Sequence, residues 1–172
     1  ADIENSLQFA TYAHVEGMAA SAAYWILAYA SRITASPTSL VGNLGVYAVL
    51  TDSSKAADMQ GLKVHVGAAG ALKGAGEPGT PVSQDLLAET QEIVDAMAKE
   101  FFDAVKAGRN LGTAELNAVN DGKIYVSAQA KKFGLVDAVQ GLDATVSQLR
   151  EKASRKISRM QRAEIEIGLS EI

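Results

Sequence analysis

The residues from His14 to Val46 restrict the fold of this chain more than any other stretch. They read as strand, tight turn, buried helix, strand and Gly-rich turn. Tyr12 to Glu16 suits a short strand, Gly17 breaks it, and Met18 to Ala20 lead into Ser21. From Ser21 to Ala30 the side chains are apolar and mostly small, as in a helix that is buried in a core. Ser21 thus stands where a strand turns into a helix. Two roles suit a serine there. It is a favoured helix N-cap, and the local pattern alone favours that role. Alternatively, the turn lifts its hydroxyl out of the backbone, beside helix N-terminal N–H groups that would stabilise a developing oxyanion.

Further along, Ile33 to Ala35 is a short β-like piece closed by Pro37. Gly42 and Gly45 bracket a turn that needs positive φ or close backbone approach. Val46 to Leu50 reads as a strand. Asp52 or Ser53 caps a short helix through Met59, Gly61 ends it, and Leu62, Val64 and Val66 alternate along a further strand. Strand–helix–strand at this spacing predicts a right-handed crossover in a largely parallel sheet. Gly67 to Pro81 is a loop with five glycines and two prolines that carries Lys73. Val82 to Lys106 is a long amphipathic helix capped by Ser83 and ended by Gly108. Thr113 caps a short helix to Val119, Ile124 to Val126 is a brief strand, and Ser127 caps a helix through Phe133 that Gly134 closes. Leu135 to Asp137 lead back toward the sheet. A helix starts at Asp143 and runs at least to Lys156. Ala1 to Thr11 reads as the tail of a helix entering the first strand.

The bulk properties narrow the function. At 172 residues the chain can bury a sizeable core as one domain. A net charge of −4 gives no nucleic-acid footprint. With no cysteine, disulfides, thiolate zinc sites and a Cys nucleophile are excluded. The uncharged run from Gly17 to Ser31 is too short and too rich in small residues to span a bilayer. Asp2 and Glu4 stand where a signal peptide would be basic, so none is expected.

A serine nucleophile needs a base. His14 and His65 have no carboxylate orienter evident from the sequence, and both read as structural. Lysine is the other choice, provided that it is neutral at working pH. Lys73 lies in Ala71-Leu72-Lys73-Gly74-Ala75 with no acid before Glu77, the apolar setting that a depressed lysine pKa requires. By itself, however, a loop lysine is ordinarily a solvated one.

The order Gly17, Ala20, Ser21, Ala22, Ala23, Tyr24, then Pro37-Thr38, then Gly42-Asn43-Leu44-Gly45-Val46 resembles the nucleophile region of the signal peptide peptidase A (SppA) family of Ser–Lys proteases. Within that family the stretch looks like the members that act as phage head maturation proteases. Gly122, Tyr125, Ala130 and Gly134-Leu135-Val136-Asp137 match a second recurrent family segment.

The resemblance covers Thr11 to Leu149 and implies an α/β chain of the Clp/crotonase type: stacked β-α units, here lacking the first, whose Gly-Gly loop supplies one oxyanion N–H. It implies a serine endopeptidase with Ser21 as nucleophile, Lys73 as base and the Ala22 N–H in the oxyanion hole. Asn43 stands where the family has the serine that hydrogen-bonds the lysine. Clp-type relatives take a His shortly after the nucleophile helix, and none occurs between Ser21 and Met59.

The implied domain is 1–149, with 150–172 as a basic helical extension. The implied partners are a polypeptide substrate, further copies of the chain with sites at their interfaces, and a capsid or scaffold protein. No nucleic acid, metal or cofactor enters. The implied location is cytoplasmic, or a phage prohead. The alternative is a non-catalytic structural member of the same fold. An acyl-CoA enzyme of the crotonase type is weaker, because such sites need no Ser–Lys pair.

Overall fold

The computed structural model describes residues 10–170; from residue 156 on it describes the helix backbone and, of the side chains, Ser158 alone. The helix tail expected over Ala1 to Thr11 lies outside the described residues, apart from Ala10 and Thr11, which precede the first strand in irregular structure. The strands are β1 (Tyr12–Val15), β2 (Met18–Ala20), β3 (Arg32–Ala35), β4 (Leu40–Gly42), β5 (Ile124–Val126) and β6 (Ala138–Val139). The helices are α1 (Ala22–Ala28), α2 (Ser54–Met59), α3 (Gln84–Gly108), α4 (Thr113–Asn117), α5 (Ser127–Lys132) and α6 (Leu142–Ser170). The result is a mixed α/β fold with alternating β-α units. No described helix is long and apolar enough to cross a membrane.

The chain divides into two compact units. The first ends at Leu44 and resumes at Ala104; the second is Gly45–Asp103. The first holds two three-stranded sheets. One is parallel throughout in the order β1-β3-β6, with His14 opposite Thr34 and Ala35 opposite Val139. The other runs β2-β4-β5, with β2 parallel and β5 antiparallel to β4. Its central row is Ala19, Val41 and Tyr125, and all three are buried. Period-two alternation then turns Met18, Ile124 and Val126 outward on the other face.

Gly17 makes the bend between β1 and β2 at φ 85°, where a side chain would be strained. The buried Ser39 hydroxyl stabilises that bend: it donates to the Val15 carbonyl and accepts from the Gly17 N–H. Ser127, expected as a cap, is the first residue of α5, and its buried hydroxyl donates to the carbonyls of Ser36 and Ser39. Thr113 likewise opens α4, for which Gly112 is the cap. Ser83 does cap α3, accepting from the Leu86 N–H at 3.1 Å.

The second unit departs most from expectation. Among the described residues, neither Val46 to Leu50 nor Leu62 to Val66 pairs into a sheet, so the predicted crossover around α2 is not seen there. Tyr47, Val49, Leu62, Val64 and Val66 are all exposed. The β-rich pattern is there, but strands need a hydrogen-bonded neighbour. Between these segments α2 starts on Asp52, whose carboxylate accepts from the N–H and hydroxyl of Ser54 and from the Val82 N–H. Ser53 is the N-cap residue, yet its hydroxyl accepts from the Gly79 N–H instead of capping.

Candidate active site

Ser21 follows β2 and precedes α1, and its backbone is unusual. It has φ 53° and ψ −129°, a sparsely populated combination for any residue with a Cβ. Its side chain makes no capping hydrogen bond, so the N-cap role that the local pattern favours is not the one it plays. The backbone on both sides is fixed. The Ser21 N–H donates to the Gly42 carbonyl at 3.0 Å, and the Ser21 carbonyl accepts from the Trp25 N–H at 3.0 Å as the first turn of α1. A strained residue at a strand-to-helix turn is a backbone geometry that a nucleophile elbow also has. Ser21 is partly exposed and Ala22 is exposed at the first position of α1, where an N–H has no intrahelical acceptor.

Asn43 lies one residue past the β4 position that pairs with Ala20. It is also left-handed, at φ 54°, a region that Asn tolerates. Its N–H donates to the Lys123 carbonyl and its side-chain amide Nδ2 donates to the Gly122 carbonyl at 2.7 Å. That bond fixes which way the amide faces and leaves Oδ1 as an acceptor. Ser21, Ala22 and Asn43 are therefore positioned within one unit, at the matching ends of β2 and β4.

Lys73 belongs to the second unit, in the turn-rich loop before α3, and is exposed. The loop is shaped by its glycines. A Cβ on Gly74 would lie 2.7 Å from Val66 Cγ1, and one on Gly79 would lie 2.7 Å from Val64 Cγ2. Both glycines also have positive φ. The loop can thus lie against Leu62 to Val66 only because side chains are missing there. Lys73 lines a cavity of about 750 Å³ with His65, Glu77, Val64 and Val66. His65, expected in a strand, lies in this unpaired segment.

His14 differs from expectation in having a carboxylate beside it. Its side chain is 8% exposed, with Nδ1 2.8 Å from Thr34 Oγ1 and Nε2 3.2 Å from Glu16 Oε2. Ser36 Oγ is 3.3 Å from the same Nε2 and donates to Glu16 at 2.6 Å. The Ser36 hydroxyl, then the His14 ring, hold the Glu16 carboxyl below its usual pKa. Serine, histidine and carboxylate meet here, yet Ser36 is buried and both partners sit on one ring nitrogen. A base relay needs the orienting group on the opposite nitrogen, so the cluster ties β1 to β3 and does no chemistry of that kind. The spacing of His14 and Glu16, two apart on one strand face, was the available signal for it. Among the described residues no cluster of His, Asp and Glu could hold a metal ion.

The sequence profile of peptidase family S49 matches residues 6–156. A predicted protease of Methanocaldococcus jannaschii is 32% identical over 141 residues, covering 82% of this chain and 45% of that protein. A predicted signal peptide peptidase SppA of Enterococcus faecium is 28% identical over 146 residues, covering 85% of this chain and 42% of that protein. Protease 4 of Salmonella typhi is 28% identical over 144 residues, covering 81% of this chain and 22% of that protein. The chain spans less than half the length of each of these relatives.

Proposed function

Because the chain belongs to peptidase family S49, we propose that it is the nucleophile-bearing part of a serine endopeptidase of the Clp/crotonase fold that uses Ser21 and Lys73 as a dyad. The observation that carries the proposal is the conformation of Ser21, strained at a strand–helix turn and free of a capping role. In this reading neutral Lys73 takes the Ser21 proton as Oγ attacks a peptide carbonyl, and the Ala22 N–H receives the developing oxyanion. Lys73 then gives the proton to the leaving amine as the C–N bond breaks. Next, Lys73 takes a proton from a water that attacks the acyl carbon and returns it to Ser21 Oγ as the ester C–O bond breaks. Asn43 Oδ1 is the acceptor that would orient the lysine.

A lysine that serves as base must be shielded from water, and Lys73 is exposed in the single chain. The proposal therefore includes assembly: copies of the chain associate, and a working site takes Ser21 from one and Lys73 from another. The exposed apolar side chains of the second unit support an interface there. The same exposure of Lys73 favours the second reading, a non-catalytic member of an assembly. A capsid-maturation role rests on the resemblance to phage members alone; the relatives named above are archaeal and bacterial proteins.

Fluorophosphonate labelling and cleavage of a peptide library separate the two readings. Labelling should be lost in Ser21→Ala and strongly reduced in Lys73→Ala, with circular dichroism unchanged in both. Co-assembled Ser21→Ala and Lys73→Ala chains should regain part of the cleavage activity if the site is shared. Unlabelled parent protein in a native-mass assembly would leave the non-catalytic reading standing.

A further inference from the structure

Helix α1 has only seven residues, too few to hold itself in water, so its place is set by what grips it. Two grips stand out, one at each end. In the first turn, Tyr24 is fully buried and its hydroxyl donates to the Leu135 carbonyl at 2.7 Å. The turn that offers this carbonyl is itself bolted down. Arg109, at the end of α3 with its side chain 6% exposed, donates from Nε to the Gly134 carbonyl at 3.1 Å and from Nη2 to Asp137 Oδ1 at 2.6 Å. Asp137 Oδ2 accepts from the Ile33 N–H at 2.6 Å, and the Asp137 N–H donates to the Ile33 carbonyl at 2.8 Å. At the other end of α1, Gly108 lets α3 approach the Ala28 carbonyl; a Cβ there would lie 2.1 Å from that oxygen.

Strained backbone persists only where its surroundings over-determine it. The hydrogen bonds of Ser21 itself run to Gly42 in β4 and to Trp25 in α1, so they hold its torsion angles only while α1 keeps its place against β4. Burial favours the protonated Tyr24 phenol and pushes its pKa up, against the pull of the Arg109 charge, so the hydroxyl keeps its donor role across the working pH range.

We propose that Tyr24, Arg109 and Asp137 are positioning residues, a clamp that fixes α1 and thereby holds Ser21 in its strained conformation. The inference rests on the Ser21 reading for its catalytic consequence, but not for the strain itself.

A thermal double-mutant cycle tests it without calling on activity. In the parent, Ser21→Gly should raise the melting midpoint by about 2–4 °C, because glycine adopts positive φ freely. In Tyr24→Phe, which keeps the ring and removes the hydroxyl, the same change should yield less than half that gain, since the clamp no longer enforces the strain. Arg109→Lys serves as the second clamp variant should Tyr24→Phe fail to fold. Equal gains with and without the clamp, or no gain in the parent, would overturn the proposal. The catalytic consequence is read separately: Tyr24→Phe should label with fluorophosphonate about tenfold more slowly than the parent at a temperature where both are folded. Parent protein that does not label would sink the Ser21 reading while the cycle still decides the clamp.

Discussion

The two units of this chain treat apolar residues in opposite ways. In the first, Ile33, Val41, Leu44, Leu135 and Val136 are buried, and even the polar Thr34, Ser39 and Ser127 are enclosed. In the second, Ala57 and Phe101 are the buried apolar residues among those described, while Tyr47, Val49, Met59, Ile93 and Met97 stand about half exposed or more. Composition does not explain the contrast, since both stretches are rich in Val, Leu and Ala. Topology does. Every strand of the first unit has a hydrogen-bonded neighbour, and the central strands β3 and β4 have one on each edge. Among the described residues, Val46 to Leu50 and Leu62 to Val66 pair with no strand, and most of their large apolar side chains stay exposed. The first unit has the makings of a rigid platform for Ser21. The second carries Lys73 on a surface with many exposed apolar side chains.

That contrast makes a glycine substitution in the first unit the most damaging change. Gly108→Ala would drive a Cβ into the backbone of Ala28, with 2.1 Å to the carbonyl oxygen and 2.7 Å to its carbon. Backbone cannot yield as a side-chain tip can, so the cost should reach about 3 kcal/mol, the upper end for overpacking. Urea unfolding followed by circular dichroism would measure it. Gly67→Ala is the counterpart in the second unit, with nothing within 4 Å and no positive φ, and should lie within about 0.5 kcal/mol of the parent. Comparable losses at the two positions would erase the distinction between the units.

A second change sharpens the comparison from the other side. Tyr47→Ser combined with Val49→Ser removes two of the most exposed apolar side chains of the second unit. Neither is part of the core, so the melting midpoint of the isolated chain should hardly move. If the surface serves association, light scattering should show smaller assemblies, and activity should fall with them. Unchanged assembly size would move the interface elsewhere.

The sequence disclosed the first unit better than the second, for a physical reason. The Gly17 bend, the turn at Ser21 and the helix closed by Gly134 are local events, written in residues that are adjacent in the chain. Pairing is not local. β4 is three residues long and follows directly on the Pro37-Thr38-Ser39 segment, and its antiparallel partner β5 lies more than eighty residues away. Val46 to Leu50 and Leu62 to Val66 have strand-forming residues, but propensity describes a side chain on a sheet that must already exist. The same limit applies to the site. Ser21 was recognisable as a turn residue, but only its torsion angles separate an N-cap from an elbow. The Arg109–Asp137 pairing left no sign, because the two residues lie on different elements twenty-eight positions apart and no local periodicity spans them.

The smallest expected effect concerns acid. Glu16 in the first unit and Asp52 in the second are both carboxylates held below their usual pKa: Glu16 chiefly by the Ser36 hydroxyl, Asp52 chiefly by the Ser54 hydroxyl and then by backbone N–H groups. A depressed folded-state pKa means that the group contributes stability above its unfolded value, near 4, and that this contribution is lost as the pH falls through the folded value. Both groups lie open to solvent, so each share is modest. They nevertheless fasten different things. Glu16 is one of several links between β1 and β3, which the parallel ladder holds in any case. Asp52 spans from the start of α2 to Val82, beside a single Ser53–Gly79 bond, in a unit with little core to replace it. Lowering the pH from 6 to 3 should therefore release the α2 amides to hydrogen exchange before those of β1 and β3. Asp52→Asn should reproduce that release at pH 6, and Glu16→Gln should not. Simultaneous release of both regions, in the parent and in Asp52→Asn alike, would mean that the two units share one cooperative unfolding event and that the contrast between them is confined to their surfaces.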